Sequence, residues 1–334
     1  MGLGGFPDTP VRLALERARL AREQIASSLD PISVRDNARS IPSLEVAARK
    51  QWEIVSPSFR NPKHAKQWIS SLEQHVFPAI GSIRVDRLAA SHFAGFLNDL
   101  TQKVPETAKR VKMRCNVVMA ACRANGFISA NPMDDVSPLL SIRTGIVKNQ
   151  PAMDWRDVPV FVQNHLAELS GTKPALMLCI LTAARSGEVR GMTWDEIDFD
   201  NRMWVVPAER MKAAREHRVP LSDQALAIIS RQARLNDLVF PASRGVQLSD
   251  MALTAILRRA NAPSDAPGRV ATCHGFRSSF RNWCADSGID SDTAERAMAH
   301  AIKNKVQASY ERSDRLEARR EVMQKWADYV MEAK

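Results

Sequence analysis

Residues 272–310 read TCHGFRSSFRNWCADSGIDSDTAERAMAHAIKNKVQASY. The first part of this stretch predicts a helix that ends at Gly288, because glycine readily takes the left-handed conformation found just after a helix. At 100° per residue one face of the helix is apolar and is predicted to be buried; it carries Phe276, Phe280, Trp283 and Cys284. The opposite face carries His274, Arg277 and Arg281.

The polar face of this helix brings an imidazole and guanidinium groups together. Cationic donors that point to one place suggest an anion, and phosphate is the usual one. His300 and Tyr310 follow in the same stretch, and the Tyr310 hydroxyl is a candidate nucleophile for such a phosphate. A solvated polar face is the alternative, and the choice between the two depends on the remaining sequence.

The totals of the chain restrict its class. At 334 residues it is expected to hold two domains. The 47 Lys and Arg against 37 Asp and Glu give a net charge of +10, which favours a polyanionic partner, either nucleic acid or an anionic membrane. No apolar run has the length of a membrane span, and no signal-peptide pattern opens the chain.

The cysteines argue for reduced thiols. The chain has five of them, without CxxC spacing, as expected for a cytosolic protein. Zinc sites in proteins use Cys and His ligands at characteristic spacings. The candidate ligands here do not have such a spacing; they are Cys273, His274, Cys284 and His300.

Four regions follow one another along the chain. Residues 1–40 predict a glycine-rich turn and one helix, too little for a core of their own. Residues 41–140 predict helices separated by Pro, Gly and Ser breaks. Residues 141–153 predict a linker, and residues 154–334 a second domain. The first region is either an arm that packs on a neighbour or the tail of a further domain.

Most of the excess positive charge lies in the first helical region. Residues 41–150 hold 15 basic and 8 acidic side chains, whereas residues 151–334 hold 26 and 24. One predicted helix there places Met113, Val117 and Ala121 on one side. Its basic residues are candidate contacts to a DNA backbone, namely Lys109, Arg110, Lys112 and Arg114. A basic, solvated helical face is the alternative.

A second cationic cluster is predicted around residue 185. Ser186 is expected to cap a short helix, with Arg185 on the turn before it and Glu188 in its first turn. Glu188 either fixes the Arg185 guanidinium or only complements the helix dipole at the surface.

A hairpin follows this cluster. The segments RMWVVP at 202–207 and HRVPL at 217–221 predict its two strands. Lys212 lies near its tip and is the only lysine between Lys173 and Lys303. The fold class expected from these patterns is mainly α, with a small antiparallel β-hairpin in the second domain.

The end of the chain predicts an amphipathic helix. Val322, Trp326 and Val330 form its apolar stripe, which docks either on its own chain or on a neighbouring protomer. The chain has only two tyrosines, and Tyr329 lies within this helix beside the stripe, so it is predicted to pack. Tyr310 remains as the candidate nucleophile.

The order of these residues resembles the tyrosine recombinases. TAARSGEVRGMTWDEID is similar to the first-arginine box of that family, MKAAREHRVPLS to its lysine hairpin, CHGFRSSF to its His-x-x-Arg box, and AMAH…ASY to its closing histidine and nucleophile. PAERMKAAREHRVPLS, HGFRSSFRNWC and MQKWADYV resemble integrases of the P4 phage type. One departure is AMAH, where Leu-Gly-His or Leu-Ala-His is more usual.

The opening GLGGFPDTPVRLALERARLAREQIASSLDP is similar to the end of the N-terminal arm-binding domain of those integrases. The resemblance therefore implies that most of that domain is lacking, which bears on full integrative activity. It also implies a helical core-binding domain over 41–140 and a catalytic domain over 154–334 with a C-terminal docking helix.

The resemblance implies strand cleavage by transesterification, with a 3′-phosphotyrosine on Tyr310. The implied roles are neutralisation of the phosphate by Arg185 and Arg277, a further hydrogen bond from His300, proton acceptance by His274, protonation of the leaving 5′-oxygen by Lys212, and support by Glu188. Because the enzyme–DNA link retains the phosphoester energy, the implied reaction uses no ATP, metal or other cofactor.

The implied partners are double-stranded DNA attachment sites and, on DNA, a homo-tetrameric synapse of a chain that is monomeric or weakly associated when free. The resemblance also implies a DNA-bending protein and an excisionase as accessory partners. It implies a location in the bacterial cytoplasm, on the nucleoid, and no membrane partner. Two other readings share the residue set: a type IB topoisomerase, and a catalytically silent DNA-binding regulator derived from a recombinase. A phosphate-binding metabolic enzyme is disfavoured because no glycine-rich phosphate loop is present.

Overall fold

The structure is a computed structural model that describes residues 2–32, 41–59, 61–141, 150–300 and 314–332. The chain divides into two compact units, Met1–Ile146 and Val147–Lys334. Each has its own hydrophobic core. Within the described part, no helix is long and apolar enough to cross a membrane.

The first unit is helical. Its helices are α1 Val11–Ala26, α2 Leu44–Val55, α3 Pro62–His75, α4 Ala90–Lys103 and α5 Pro105–Ala124. Every residue of α1 is at least partly exposed. The core is therefore built by α2 to α5, with large buried side chains from each, such as Leu44, Leu72, Phe93 and Met119.

The buried face of α5 differs from the predicted one. The prediction placed Met113, Val117 and Ala121 on one apolar side, but Met113 is 61% exposed. The helix instead buries Val111, Cys115, Val118, Met119 and Cys122. Because α5 packs against α2, α3 and α4 at once, most of its circumference is covered, and a narrow apolar stripe is a poor guide to its orientation.

The second unit contains eight helices among the described residues. They are α6 Val158–Leu166, α7 Lys173–Thr182, α8 Ser186–Arg190, α9 Asp223–Ser230, α10 Ala252–Arg259, α11 Gly275–Asp286, α12 Ser291–Ala297 and α13 Leu316–Met331. Every residue of α7 from Pro174 to Thr182 is buried. A helix that is apolar on all sides must lie at the centre of its core, and α6, α9, α10, α11 and α13 all pack against it.

A three-stranded antiparallel sheet lies in the same unit. Its strands are β1 Ile197–Asp198, β2 Met203–Val206 and β3 His217–Pro220, in the order β1-β2-β3. The register pairs Trp204 with Val219 and Val206 with His217, so the predicted hairpin is confirmed. β1 was not predicted, since two residues give no readable alternation. The fold class, mainly α with a small antiparallel sheet, is confirmed.

The C-terminal helix α13 docks on its own unit. Val322, Trp326 and Val330 are buried, and the Trp326 indole N–H donates to the carbonyl oxygen of Ile180 at 2.8 Å. Arg319, only 2% exposed, donates to the carbonyl oxygen of Arg218 in β3 at 2.6 Å. Within one chain, the apolar stripe therefore has a docking surface of its own.

The last residues of the predicted linker belong to the second unit. Ser279 of α11 donates to the carbonyl oxygen of Met153, and the Thr272 N–H donates to that of Pro151 at 3.0 Å. At Gly275 a Cβ atom would lie 2.1 Å from the Pro151 carbonyl oxygen. The start of α11 therefore requires glycine at position 275, because the backbone of Pro151 and Ala152 lies directly against it.

Candidate active site

The first arginine is held by the helix that it precedes. Helix α7 ends at Thr182 with Ala183 as its C-cap, and α8 begins at Ser186, directly after the extended residue Arg185. Glu188 accepts both the Arg185 backbone N–H at 2.9 Å and its Nη1 at 2.8 Å. Arg185, and not Ser186 as predicted, thus occupies the capping position. The buried Glu188 carboxylate fixes the guanidinium, the first of its two predicted roles.

The second arginine, Arg277, is buried in α11. It was predicted on a polar, outward face, yet only 3% of it is exposed. Its Nη2 donates to the carbonyl oxygen of Met298 at 2.7 Å and contacts His300 Nε2 at 2.7 Å, while Nη1 donates to the carbonyl oxygen of Ala183. Burial, and then the charge of Arg185, lower the pKa of Arg277 to about 10. The guanidinium is still charged at neutral pH.

Two alanines in left-handed conformation support the two arginines. Ala183 has φ of 50° and Ala299 has φ of 52°, a region that disfavours residues with a Cβ atom. The carbonyl oxygen of Ala183 accepts from Arg277, and that of Ala299 accepts from Arg185 Nη2 at 3.4 Å. The chain reversals at the ends of α7 and α12 therefore aim main-chain acceptors at both guanidiniums.

His300 lies between a carboxylate and a guanidinium. Its Nδ1 is 2.6 Å from Glu295 Oε2, and its Nε2 is 2.7 Å from Arg277 Nη2. An arginine can only donate, so Nε2 accepts and the ring proton is on Nδ1. Burial, followed by the nearby charges of Arg277 and Arg185, lowers the pKa of His300 despite the hydrogen bond to Glu295. The ring is neutral at pH 7.

His274 and Lys212 share the same electrostatic environment. His274 directly precedes α11 and is exposed, and Lys212 is exposed in the loop between β2 and β3. Partial burial lowers the pKa of His274, and the charges of Arg277, Arg185, His300 and Lys212 lower it further. Five of the predicted site residues are therefore close enough for their charges to interact.

The predicted nucleophile, Tyr310, lies outside the described residues. The other tyrosine packs as predicted: the Tyr329 ring lies 5.4 Å from that of Trp155 and 5.9 Å from that of Trp326. Its hydroxyl donates to the carbonyl oxygen of Trp155 at 3.4 Å. Burial raises the pKa of Tyr329, which disfavours the phenolate form.

Three further residues support the site and were not predicted. Glu295 accepts from Arg281 Nε at 2.8 Å as well as from His300. His217 Nε2 contacts the carbonyl oxygen of Ala297, and Arg210 donates to the carbonyl oxygen of Glu188 and to the Glu196 carboxylate. The only sequence signal was that His217 and Arg210 flank Lys212 in the hairpin segment.

The candidate DNA contacts in α5 divide into two groups. Lys109 and Arg110 are exposed, and Lys112 is partly buried with its Nζ 2.7 Å from Ser137 Oγ. Arg114 is a correction: it is buried, and its Nη1 donates to the carbonyl oxygen of Gln67 at 3.0 Å and to Ser71. It joins α5 to α3, and its Nη1 is already occupied by acceptors on α3.

Across residues 2–32, 41–59, 61–141, 150–300 and 314–332, no three His, Cys, Asp or Glu side chains are grouped closely enough to hold a metal ion. All five cysteines are buried and unpaired by disulfides.

Comparison with known proteins matches both units. Residues 164–317 match the Phage integrase family and residues 44–138 the Phage integrase central domain. Prophage integrase IntA of Escherichia coli K12 is 30% identical over 99% of this chain and 81% of that protein. The integrase of Enterobacteria phage P4 is 30% identical over 99% of this chain and 80% of that protein.

Solved structures show the same fold. A lambda integrase tetramer bound to a Holliday junction superposes with a TM-score of 0.63 at 16% identity, over 92% of this chain and 88% of that chain. The Tn1549 transposon integrase in complex with circular intermediate DNA superposes with a TM-score of 0.58 at 16% identity, over 81% of this chain and 99% of that chain.

Proposed function

The chain belongs to the phage integrase family and is a site-specific DNA recombinase, and we propose that it cuts and rejoins DNA through a 3′-phosphotyrosine on Tyr310. One observation carries this proposal: Arg185, Arg277, His274 and His300 come from three different segments and lie close enough for their charges to interact. Such a group of donors suits the two non-bridging oxygens of a phosphodiester.

The two guanidiniums neutralise charge on the scissile phosphate. Arg185 is fixed by Glu188, and Arg277 by two main-chain carbonyl oxygens. Because these partners hold both side chains before DNA arrives, little reorganisation is needed as negative charge builds on the phosphorane. Glu188 acts as a support and does not touch the reacting atoms.

Protons move at the two ends of the phosphodiester. Tyr310 attacks phosphorus and its phenolic proton passes to His274, whose lowered pKa keeps it neutral and able to accept. Lys212 donates a proton to the departing 5′-oxygen. Attack by a 5′-hydroxyl of the partner duplex then reverses the step, and the P–O bond to Tyr310 breaks. No ATP, metal or cofactor enters these steps.

The two units divide the work in this proposal. The helical unit, residues 41–140, grips the DNA backbone with exposed cations of α5 such as Lys109 and Arg110, while residues 154–334 carry the chemistry. Residues 1–40 stay outside both roles. The excess of basic over acidic side chains in residues 41–150 supports this division.

The partners are double-stranded attachment sites at the ends of a mobile genetic element, which the protein integrates and excises. Lambda integrase forms a tetramer on a Holliday junction, and a homo-tetrameric synapse of this chain is proposed by analogy. A DNA-bending protein and an excisionase would set the direction of recombination. The reaction takes place on nucleoid DNA in the bacterial cytoplasm.

Covalent capture tests the proposal. The substrate is a labelled duplex that spans a junction between element and host DNA and is nicked near the cleavage position. Cleavage releases a short fragment that carries the free 5′-hydroxyl. This fragment diffuses away, so the strand cannot be rejoined and the protein stays attached to the DNA. Tyr310→Phe is expected to abolish the adduct in denaturing electrophoresis and to keep DNA binding, whereas Tyr329→Phe keeps both. An adduct on Tyr310→Phe would contradict the assignment. Relaxation of supercoils without a defined site would instead indicate a type IB topoisomerase, and binding without any adduct a silent regulator.

A further inference from the structure

We propose that Glu295 is a positioning residue of the recombination reaction, which orients the His300 ring and favours its imidazolium form when the scissile phosphate is bound. This inference rests on the proposed function. Glu295 lies in α12, five residues before His300, and contacts Nδ1 of the ring, while Arg277 contacts Nε2.

The two contacts of the His300 ring fix its tautomer. Its Nε2 accepts a hydrogen bond from Arg277, so its proton is on Nδ1 and is donated to Glu295. In this tautomer the nitrogen on the side of Arg277 carries a lone pair. It can therefore give no hydrogen bond to a phosphate oxygen.

A bound phosphate changes the partners of both side chains. Its oxygens are stronger acceptors than a neutral imidazole, so the N–H of Arg277 that now contacts His300 turns to the phosphate. His300 Nε2 loses its donor, takes a proton from solvent, and donates it to the second oxygen. The resulting imidazolium lies between two anions, the phosphate and Glu295.

The charges around His300 make Glu295 decisive. Arg277 from α11 and Arg185 from the turn before α8 disfavour a further positive charge, as does burial, and together they lower the pKa of His300. The charge of His300 in turn acts on His274. Of the groups that act on His300, Glu295 is the one that favours its cationic form.

The Glu295 carboxylate is itself prepared for this task. Burial alone would raise the pKa of Glu295, but hydrogen bonds from Arg281 and His300 outweigh it and lower the pKa. The carboxylate is therefore ionised throughout the neutral range. Arg281, the second arginine of the polar face of α11, fixes its other oxygen at 2.8 Å.

The test is the pH dependence of single-turnover cleavage of the nicked duplex. Cleavage is expected to fall at high pH as the His300 imidazolium in the DNA complex loses its proton. Glu295→Gln keeps the size of the side chain and a hydrogen bond but removes the charge. The alkaline limb of the pH–rate profile is therefore expected to move to lower pH by about one unit. The loss relative to wild type would then be about tenfold larger at pH 8 than at pH 6.

A control variant isolates the effect. Glu317→Gln removes a carboxylate that is 82% exposed and is expected to leave the limb unchanged. A Glu295→Gln rate reduced by one constant factor at all pH values, or a limb shifted equally in Glu317→Gln, would overturn the proposal. Those outcomes leave the Tyr310 adduct intact, so they are distinct from a failure of the proposed function, in which Tyr310→Phe still captures DNA.

Discussion

His217 in β3 donates from Nε2 to the carbonyl oxygen of Ala297 at the end of α12, at 3.3 Å. This hydrogen bond joins the strand that follows the Lys212 loop to the turn that leads into His300. Burial, and then the charge of Arg319, lower the pKa of His217 to about 4. The ring is therefore neutral in the folded protein at any pH at which the protein is used.

Burial of the neutral His217 ring is predicted to lower the stability of the protein at mildly acidic pH. An unfolded histidine has a pKa of about 6.5, so between that value and about 4 the unfolded chain binds more protons than the folded one. The contribution of His217 is complete above the unfolded pKa and is lost as the pH falls to the folded one. It amounts to roughly 3 kcal/mol in the free energy of unfolding.

Urea unfolding of wild type and of His217→Gln at pH 7 and at pH 4.5 measures this contribution to the free energy of unfolding. The variant keeps a donor and cannot titrate, so its stability is expected to fall less between the two pH values. His64→Gln, at an exposed histidine of the first unit, serves as the control. Equal losses in wild type and His217→Gln would contradict the prediction.

Lys212→Ala is expected to slow cleavage of ordinary DNA by roughly 10²–10⁴-fold, the usual contribution of a general acid. The loss is expected to be much smaller when sulphur replaces the bridging 5′-oxygen, since a thiolate leaves without protonation. Single-turnover cleavage of the two nicked duplexes provides the measurement. Arg215→Ala removes a cation from the same exposed loop and should affect both substrates alike. Equal losses for Lys212→Ala on both would remove it from the acid role.

Arg110 and Arg114 are predicted to behave in opposite ways. Arg110→Ala at the exposed position should weaken DNA binding and lower the slope of log K against log salt by about 1. Arg114→Ala should leave that slope unchanged and lower the free energy of unfolding by about 1–3 kcal/mol, because the buried Ser71 hydroxyl and the carbonyl oxygen of Gln67 lose their donor. Salt titrations and thermal melting of both variants separate these effects, and a changed salt slope in Arg114→Ala would restore it as a DNA contact.

The docking of α13 predicts a large loss of stability for Trp326→Ala. This side chain is fully buried against Phe280 and Trp283, so its truncation should lower the free energy of unfolding by about 3–5 kcal/mol. Met331→Ala in the same helix truncates a side chain that is exposed and should change stability by less than about 0.5 kcal/mol. A small effect of Trp326→Ala in chemical denaturation would mean that α13 docks elsewhere in solution.

The part of the site that could be predicted is the part with local signatures. The apolar face of α11 follows from periodicity, the hairpin from two β-branched segments around a polar turn, and the pairing of Arg185 with Glu188 from their spacing across one turn. Each of these depends on residues at most a few turns apart. The burial of Arg277 depends instead on α7 and on the turn at Met298, and no single segment contains that information.

Dependence on distant elements also explains why the orientation of α5 was predicted wrongly and why Glu295 was not predicted. The orientation of α5 is set by three neighbouring helices, and its basic residues are spread around the helix, so nothing in the segment itself shows that Arg114 points inward. Glu295 escaped notice because a glutamate on a short surface-like helix is ordinary. Its role depends on Arg281 and His300, which reach it only after α11 and α12 have packed.

The left-handed alanines beneath the two arginines have a consequence for engineering. An alanine in this conformation is less favourable than a glycine by about 1 kcal/mol, so a screen for heat-resistant variants would choose glycine at positions 183 and 299. The added backbone freedom would loosen the acceptors that hold Arg277 and Arg185. The substitutions most attractive for shelf life are therefore those that should make the enzyme slower.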